Sequence, residues 1–383
     1  MKKDAECQKQ ALKILLVGDA SNCHNTLATG LRRLGHNVTV ASGGSGWMHT
    51  GRDIDLARSP GKLSGAWLWA RINAMKCTRF TGYDVVALSS PNFLDLKPHR
   101  ILDFFRFLKK NNRSVFLTAL GTDIPFIDMC TATDTPLRYS EWHIDGAPSP
   151  LRTADPGAID RWHSPELQQL HDFVYDNIDG AVSVLYEYDL SLRRVLPPEK
   201  IAYGGIPVDT ESIIPVSVPD NLQCVRFLLG IQRGRELVKG TDRLLATAKK
   251  IVDKYPGKAS LDIIENLPYT EYLSRMRQAH VILDQLYSYT PATNALLAMA
   301  MGLATFSGNE PEFYDFIDEH QLHPVIGCAP DDSLIFEILE NIVLNPSEIS
   351  RLGSEGREFV LRHNDCRVVA RRFLDFWTSK IQL

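Results

Sequence analysis

Short apolar runs alternate with amphipathic stretches along most of the chain. The first run, Lys13 to Val17 (KILLV), shows no polar alternation, as in a strand buried on both faces. Gly18 and Asp19 end it. Leu27, Leu31 and Leu34 then recur at near-helical spacing up to Gly35, a plausible helix stop. Asn37 to Ser42 (NVTVAS) reads as a second strand. A strand–helix–strand unit of about 30 residues is the pattern of a right-handed parallel crossover. The rhythm predicts further strands at Asp84 to Leu88, Ser114 to Leu117, Gly180 to Val184 and Lys200 to Tyr203, with a helix around Ile101 to Lys110.

The stretch from Pro207 to Asn221 carries three prolines and no helical period, so it reads as a linker. A second series follows. It predicts strands at Val225 to Leu229, Ser260 to Ile264, His280 to Leu283 and Ala304 to Ser307. Helices are expected from about Asp242 to Tyr255, around Tyr269 to Arg277, and from about Pro291 to Met301. The expected fold class is α/β, with two Rossmann-like doubly wound domains facing across a cleft. Ligands in such sheets sit at the carboxyl ends of the strands, so a site is expected between the two halves.

Composition narrows the classes. The 383 residues are 44% hydrophobic and 23% charged, which excludes global disorder. A net charge of −4 excludes a surface built wholly for nucleic acid, and no nucleic-acid partner is expected. The seven cysteines form no Cys-x-x-Cys pair, which argues against a zinc ribbon or a thioredoxin-type site and fits reduced cytosolic thiols. The charged start, MKKDAECQKQ, followed by a short apolar run, is not a signal peptide. The longest strongly apolar stretch, Ala295 to Phe306, is about half of the ~20 residues that span a bilayer. A cytoplasmic protein is expected, with peripheral contact at the inner membrane face open. Leu63 to Arg71 sets two tryptophans beside a cation, and Phe104 to Lys110 mixes aromatics with bases. Simple packing of Phe104 and Leu108 on the sheet is the competing explanation.

The candidate chemistry lies just after strands. Arg233, Arg235 and Lys239 crowd a loop leading to a helix start at Thr241 and Asp242, a setting suited to a diphosphate. In Ser288 to Leu296, Thr290 fits an N-cap and Pro291 the first helical position, and the small side chains of Thr293 and Asn294 leave the first-turn N–H groups open to an anion. Capping alone would also account for Thr290 and Pro291. Glu310 and Glu312 follow the next strand and could bind sugar hydroxyls, although an ordinary acidic loop has the same sequence. In the first half, His24 and Asp123 follow strands and are acid/base candidates by position. Arg138, Tyr139, Glu141 and His143 lie on a polar loop beyond, and Glu187 follows another strand. The turn after the first strand is not G-x-G-x-x-G. There is no H-E-x-x-H, G-x-S-x-G or P-loop, and no residue set is expected to hold a metal.

Three segments carry a resemblance: Lys239 to Leu245 (KGTDRLL), LDQLYSYTPATNALLAMAMG, and Gly308 to Glu312 (GNEPE). Together they resemble the C-terminal half of the large retaining glycosyltransferase family of the GT-B fold, which uses nucleoside-diphosphate sugars. The opening GDASNCHNTLATGLRRLGHNVTVAS is similar to the N-terminal halves of the same enzymes. The resemblance implies a donor diphosphate on Arg233 or Arg235 and Lys239; by position Thr290, Thr293, Asn294 and Glu312 are expected to add to nucleotide binding, and no cofactor is expected beyond the sugar nucleotide as co-substrate. It implies an acceptor-side domain over 1–207, a linker at 208–221 and a donor domain over 222–365. A final helix at about 366–383 would pack back on the first domain. The partner glutamates of the family's E-x7-E pair are Tyr289 and Leu297 here, which leaves Glu310 as the nearest acidic substitute and as a catalytic candidate beside Asp123 and His24. Two functions follow. One is a metal-independent glycosyltransferase acting on a glycan or lipid-linked acceptor in polysaccharide or glycoconjugate assembly. The other is a sugar-nucleotide or glycan-binding protein of the same fold that has lost catalysis.

Overall fold

The computed structural model describes residues 11–44, 48 and 50–381. Cys7, the charged start of the chain and residues 382–383 lie outside them. In chain order the strands are β1 (Lys13–Val17), β2 (Asn37–Ser42), β3 (Ile54–Asp55), β4 (Val85–Leu88), β5 (Ser114–Ala119), β6 (His143–Ile144), β7 (Ala147–Pro148), β8 (Gly180–Ser183), β9 (Ile201–Tyr203), β10 (Val225–Ile231), β11 (Ala259–Glu265), β12 (Val281–Leu283), β13 (Ala304–Phe306) and β14 (Val325–Ile326). They form a seven-stranded sheet in the order β3-β2-β1-β4-β5-β8-β9 and a five-stranded sheet in the order β11-β10-β12-β13-β14. Every pairing in both sheets is parallel; β6 and β7 make a small antiparallel hairpin between β5 and β8 in sequence.

The unbroken apolar run of β1 has its expected cause. Side chains alternate between the faces of a strand, and helices cover both faces. Ile14 and Leu16 pack with Leu27 and Leu31 on one side, while Leu15 and Val17 pack with Leu68, Ile72, Phe104 and Leu108 on the other. Phe104, Phe105 and Leu108 are thus buried in the core, so the aromatic–basic segment Phe104 to Lys110 is a sheet-packing helix face and not a membrane surface. No helix among the described residues is long and apolar enough to cross a membrane.

The chain passes between the two sheets twice, side by side. The segment after β9 has no helix and no regular strand until β10. Its Val208 N–H donates to the Asn364 carbonyl (2.7 Å), and the Cys366 N–H donates to the Val208 carbonyl (2.8 Å). Asp365 then caps the last helix, Cys366–Lys380, by accepting from the Arg367 N–H at 2.9 Å. That helix returns to the first sheet. Its Phe373 and Trp377 are fully buried, with Trp377 beside Phe116. It lies so close to the helix Cys23–Arg33 that a Cβ on Gly30 would overlap the Cys366 carbonyl.

Candidate functional site

In a doubly wound sheet the crevice opens where the strand order reverses. That point lies between β1 and β4 in the first sheet and between β10 and β12 in the second. Gly18 adopts φ 78° as the chain leaves β1, where any Cβ would overlap the Ser89 side chain after β4. The two carboxyl edges meet across a cleft of about 410 Å³. The first half supplies Ser21 after β1, Thr122 after β5, Glu141, and Glu187 after β8; the second supplies Gln232 and Arg235 after β10, Lys239, and Gln285 after β12. A hollow of about 550 Å³ shares Arg235, Lys239 and Asn294 with it and extends to Arg233 and Asn266.

The structure brings together four of the sequence candidates. Arg235, Lys239, Thr293 and Asn294 all line the cleft. Lys239 ends a short helix, Glu236–Lys239, and Gly240 turns the chain at φ 70° into the helix Thr241–Lys254. Buried Asp284, just past β12, organises this wall. Its carboxylate accepts from Asn294 Nδ2 (3.2 Å) and Ser307 Oγ (2.9 Å) and stands 3.8 Å from Lys239 Nζ. The Tyr272 hydroxyl donates to Asn294 Oδ1 at 2.6 Å. Arg233 lies farther out, highly exposed and paired with Glu265 at 3.1 Å. Among the described residues Arg235 has no carboxylate within ion-pair distance.

Five candidates are placed elsewhere. His24 is fully buried beneath the cleft floor. Its Nδ1 bonds the Gly18 carbonyl (2.8 Å) and its Nε2 bonds Thr118 Oγ1 (3.0 Å), and burial lowers it to about 4. A neutral, doubly bonded imidazole is a structural group. Asp123 caps the helix Ile124–Thr131 through the Phe126 N–H (3.0 Å) and accepts from the Tyr175 hydroxyl; burial raises it to about 6, but it does not line the cleft.

Thr290 is not a helix cap. The helix runs Thr293–Ala300 with Ala292 at the cap position, and Thr290 Oγ1 instead donates to Glu187 Oε2 at 2.6 Å. Glu310 and Glu312 are held behind Tyr139. Arg138 is paired with both, and the Tyr139 hydroxyl donates to Glu310. These carboxylates tie the halves together and do not face the cleft.

The residues that sequence reasoning left without a role do this joining. Glu187, 5% exposed, accepts on Oε1 from Ser288 Oγ (2.7 Å) and from the N–H groups of Tyr289 (2.9 Å) and Thr290 (3.3 Å). Tyr289 stands where the resemblance places a glutamate. It is 1% exposed, its ring centroid lies 5.1 Å from that of Tyr139, and its hydroxyl accepts from the Arg138 N–H at 2.6 Å. Leu297, the other replacement, lines the cleft as an apolar wall. Glu187 follows a strand's carboxyl end, the same positional signal that singled out Asp123.

No protein-family model and no curated protein sequence matches the chain. Solved structures do. A sucrose-phosphate synthase from Thermosynechococcus elongatus is similar at a TM-score of 0.62 and 13% identity, over 96% of this chain and 98% of that one. Anabaena Alr3699/HepE, solved in complex with UDP and glucose, is similar at a TM-score of 0.59 and 11% identity, over 96% and 100%. The chain has the GT-B fold. A putative UDP-N-acetylglucosamine 2-epimerase from Listeria monocytogenes is also similar, at a TM-score of 0.52 and 10% identity, over 96% of this chain and 95% of that one. The GT-B likeness therefore gives the architecture, and the reaction is argued from the site.

Glu187→Ala removes the acceptor from two buried N–H groups and two hydroxyls. Each N–H left unpaired costs about 1–3 kcal/mol. The variant is expected to melt at clearly lower urea concentration than the wild type; a coincident melting curve would show that the clasp does not hold the halves.

Proposed function

We propose that the chain is a glycosyltransferase that moves a sugar from a nucleoside diphosphate to a glycan or lipid-linked acceptor. The observation that carries this reading is the convergence of Arg235, Lys239 and the first turn of the helix Thr293–Ala300 on the cleft, opposite carboxylates of the first half. Two cations and a helix N-terminus suit a departing diphosphate, whose negative charge grows as the sugar leaves. In this reading they stand in for a metal ion, and turnover in EDTA tests that. Retention of anomeric configuration is the course the family resemblance implies, and the product anomer reads it directly. Tyr289 and Leu297 favour the second reading, a sugar-nucleotide binder without turnover, because Leu297 has no acceptor and the buried Tyr289 hydroxyl is already engaged by the Arg138 N–H.

A screen of nucleoside-diphosphate sugars for thermal stabilisation in EDTA, then a turnover assay on each hit, separates the two. Stabilisation with transfer supports the enzyme, and stabilisation without transfer supports the binder. Lys239→Ala removes a charge-assisted contact of roughly 1.5–3 kcal/mol, so donor affinity should fall about 10- to 150-fold with the fold intact. Calorimetric titration checks this, and unchanged affinity would remove Lys239 from the site.

A lipid-linked acceptor is supported by the start of the helix Ser64–Arg79. Leu63 is 80% and Trp67 63% exposed, one turn apart, beside Lys62 and Arg58. Exposed apolar side chains rimmed by cations suit an anionic lipid surface. The wild type should float with anionic vesicles at low salt, and the Leu63→Ser, Trp67→Ser double variant should stay in the soluble fraction. Equal flotation of both would remove this surface from the account.

A further inference from the structure

Two carboxylates of the first half line the cleft, Glu141 and Glu187, and their surroundings differ. The acceptor capacity of Glu187 is used up by the loop from Ser288 to Thr290. Glu141 is different. Its backbone is pinned, since its carbonyl accepts from Ser149 Oγ at 2.5 Å, and the Ser140 N–H next to it bonds the His143 carbonyl at 2.8 Å. Its side chain is left to the cleft. Among the described residues the carboxylate takes one side-chain hydrogen bond, a long one from Thr122 Oγ1 at 3.3 Å. A rigid backbone that presents an under-used carboxylate to a cleft lacks an evident structural purpose.

We propose that Glu141 binds the acceptor hydroxyl and takes its proton during transfer; this rests on the reading of the chain as a glycosyltransferase. On the face that the diphosphate leaves, as retention requires, the acceptor oxygen forms a bond to the anomeric carbon while the bond from that carbon to the diphosphate oxygen breaks. The electron pair of the broken bond leaves with the diphosphate, beside Arg235 and Lys239. The hydroxyl proton passes to the Glu141 carboxylate, which becomes neutral. No oxidant, reductant or further reactant is needed.

The surroundings tune Glu141 for this. Burial raises it to about 7, hydrogen bonds from its own N–H and from Thr122 oppose the rise, the charge of Glu187 adds to it and Arg235 opposes it. Tyr188 and Cys130 also face it, and burial keeps both protonated, the first well above its ordinary value. A proton acceptor works best near the operating pH. The sign follows. Below about 7 the carboxyl is already protonated and cannot take another proton, so transfer is lost as pH falls through that value.

The test measures kcat/KM for transfer against pH in the wild type, Glu141→Gln and Glu141→Asp, with melting temperature and nucleoside diphosphate affinity taken for each. The expected wild type loses activity on the acid side near pH 7. Glu141→Gln is expected to lose about 10²–10⁴-fold together with that acid limb, while UDP or another nucleoside diphosphate from the screen binds as before. Glu141→Asp is expected to recover part of the rate with a displaced limb. A Glu141→Gln protein with the wild-type rate and limb overturns the proposal and leaves glycosyl transfer standing. A wild type that binds nucleoside diphosphates but transfers nothing overturns both. If Glu141→Gln melts early, the limb of Glu141→Asp decides, and a limb that does not move overturns the proposal.

Discussion

The rest of the structure depends on a buried carboxylate that reaches from one sheet to the other. Glu187 stands at the carboxyl edge of the first sheet and is satisfied by the second, through the N–H groups and hydroxyls of Ser288, Tyr289 and Thr290. A buried charge without donors is costly, and so are buried N–H groups without an acceptor. Each half therefore needs the other. The clasp engages residues 288–290 ahead of the helix, which begins at Thr293 with its first turn at the cleft. Tyr289, packed on Tyr139 and Tyr186, and Arg138, paired with Glu310 and Glu312, close the same seam from behind.

The cleft that results is electrically asymmetric. Free carboxylate capacity lies on the first half, at Glu141, and cations lie on the second, at Arg235 and Lys239. Asp284 keeps the cationic wall ordered by engaging Asn294, Ser307 and Lys239 together. In the proposed reaction this separates the work. One wall receives the charge that leaves with the diphosphate, and the other receives the acceptor's proton.

Much of this was legible in the sequence where the cause is local. Parallel strands covered on both faces read as short apolar runs, so β1 and β2 begin and end where the pattern placed them. Arg235, Lys239, Thr293 and Asn294 follow strands and lie at helix ends, and that position brings them to the edge. Two-residue strands such as β3 and the β6–β7 hairpin left too little pattern to see. The helix Ser64–Arg79 buries only Ser64, Leu68 and Ile72, too thin a stripe to mark a helix face. Residues with distant partners were misplaced. Thr290 looked like a cap because Glu187 lies 103 positions away, and Glu310 looked like a ligand because Arg138 lies 172 away. His24 and Asp123 looked reactive because Thr118 and Tyr175, which complete their bonding, do not show in a local window.

The central claim is that a nucleoside diphosphate sits on the second sheet's edge, between the loop after β10 and the first turn of the helix Thr293–Ala300. Hydrogen exchange of the intact chain, with and without saturating nucleoside diphosphate, tests it most directly. Amides bound to a ligand exchange more slowly. The account predicts slowed exchange concentrated in residues 232–240 and 293–296. Slowed exchange elsewhere with none in these two segments, or no change at saturating ligand, would contradict it.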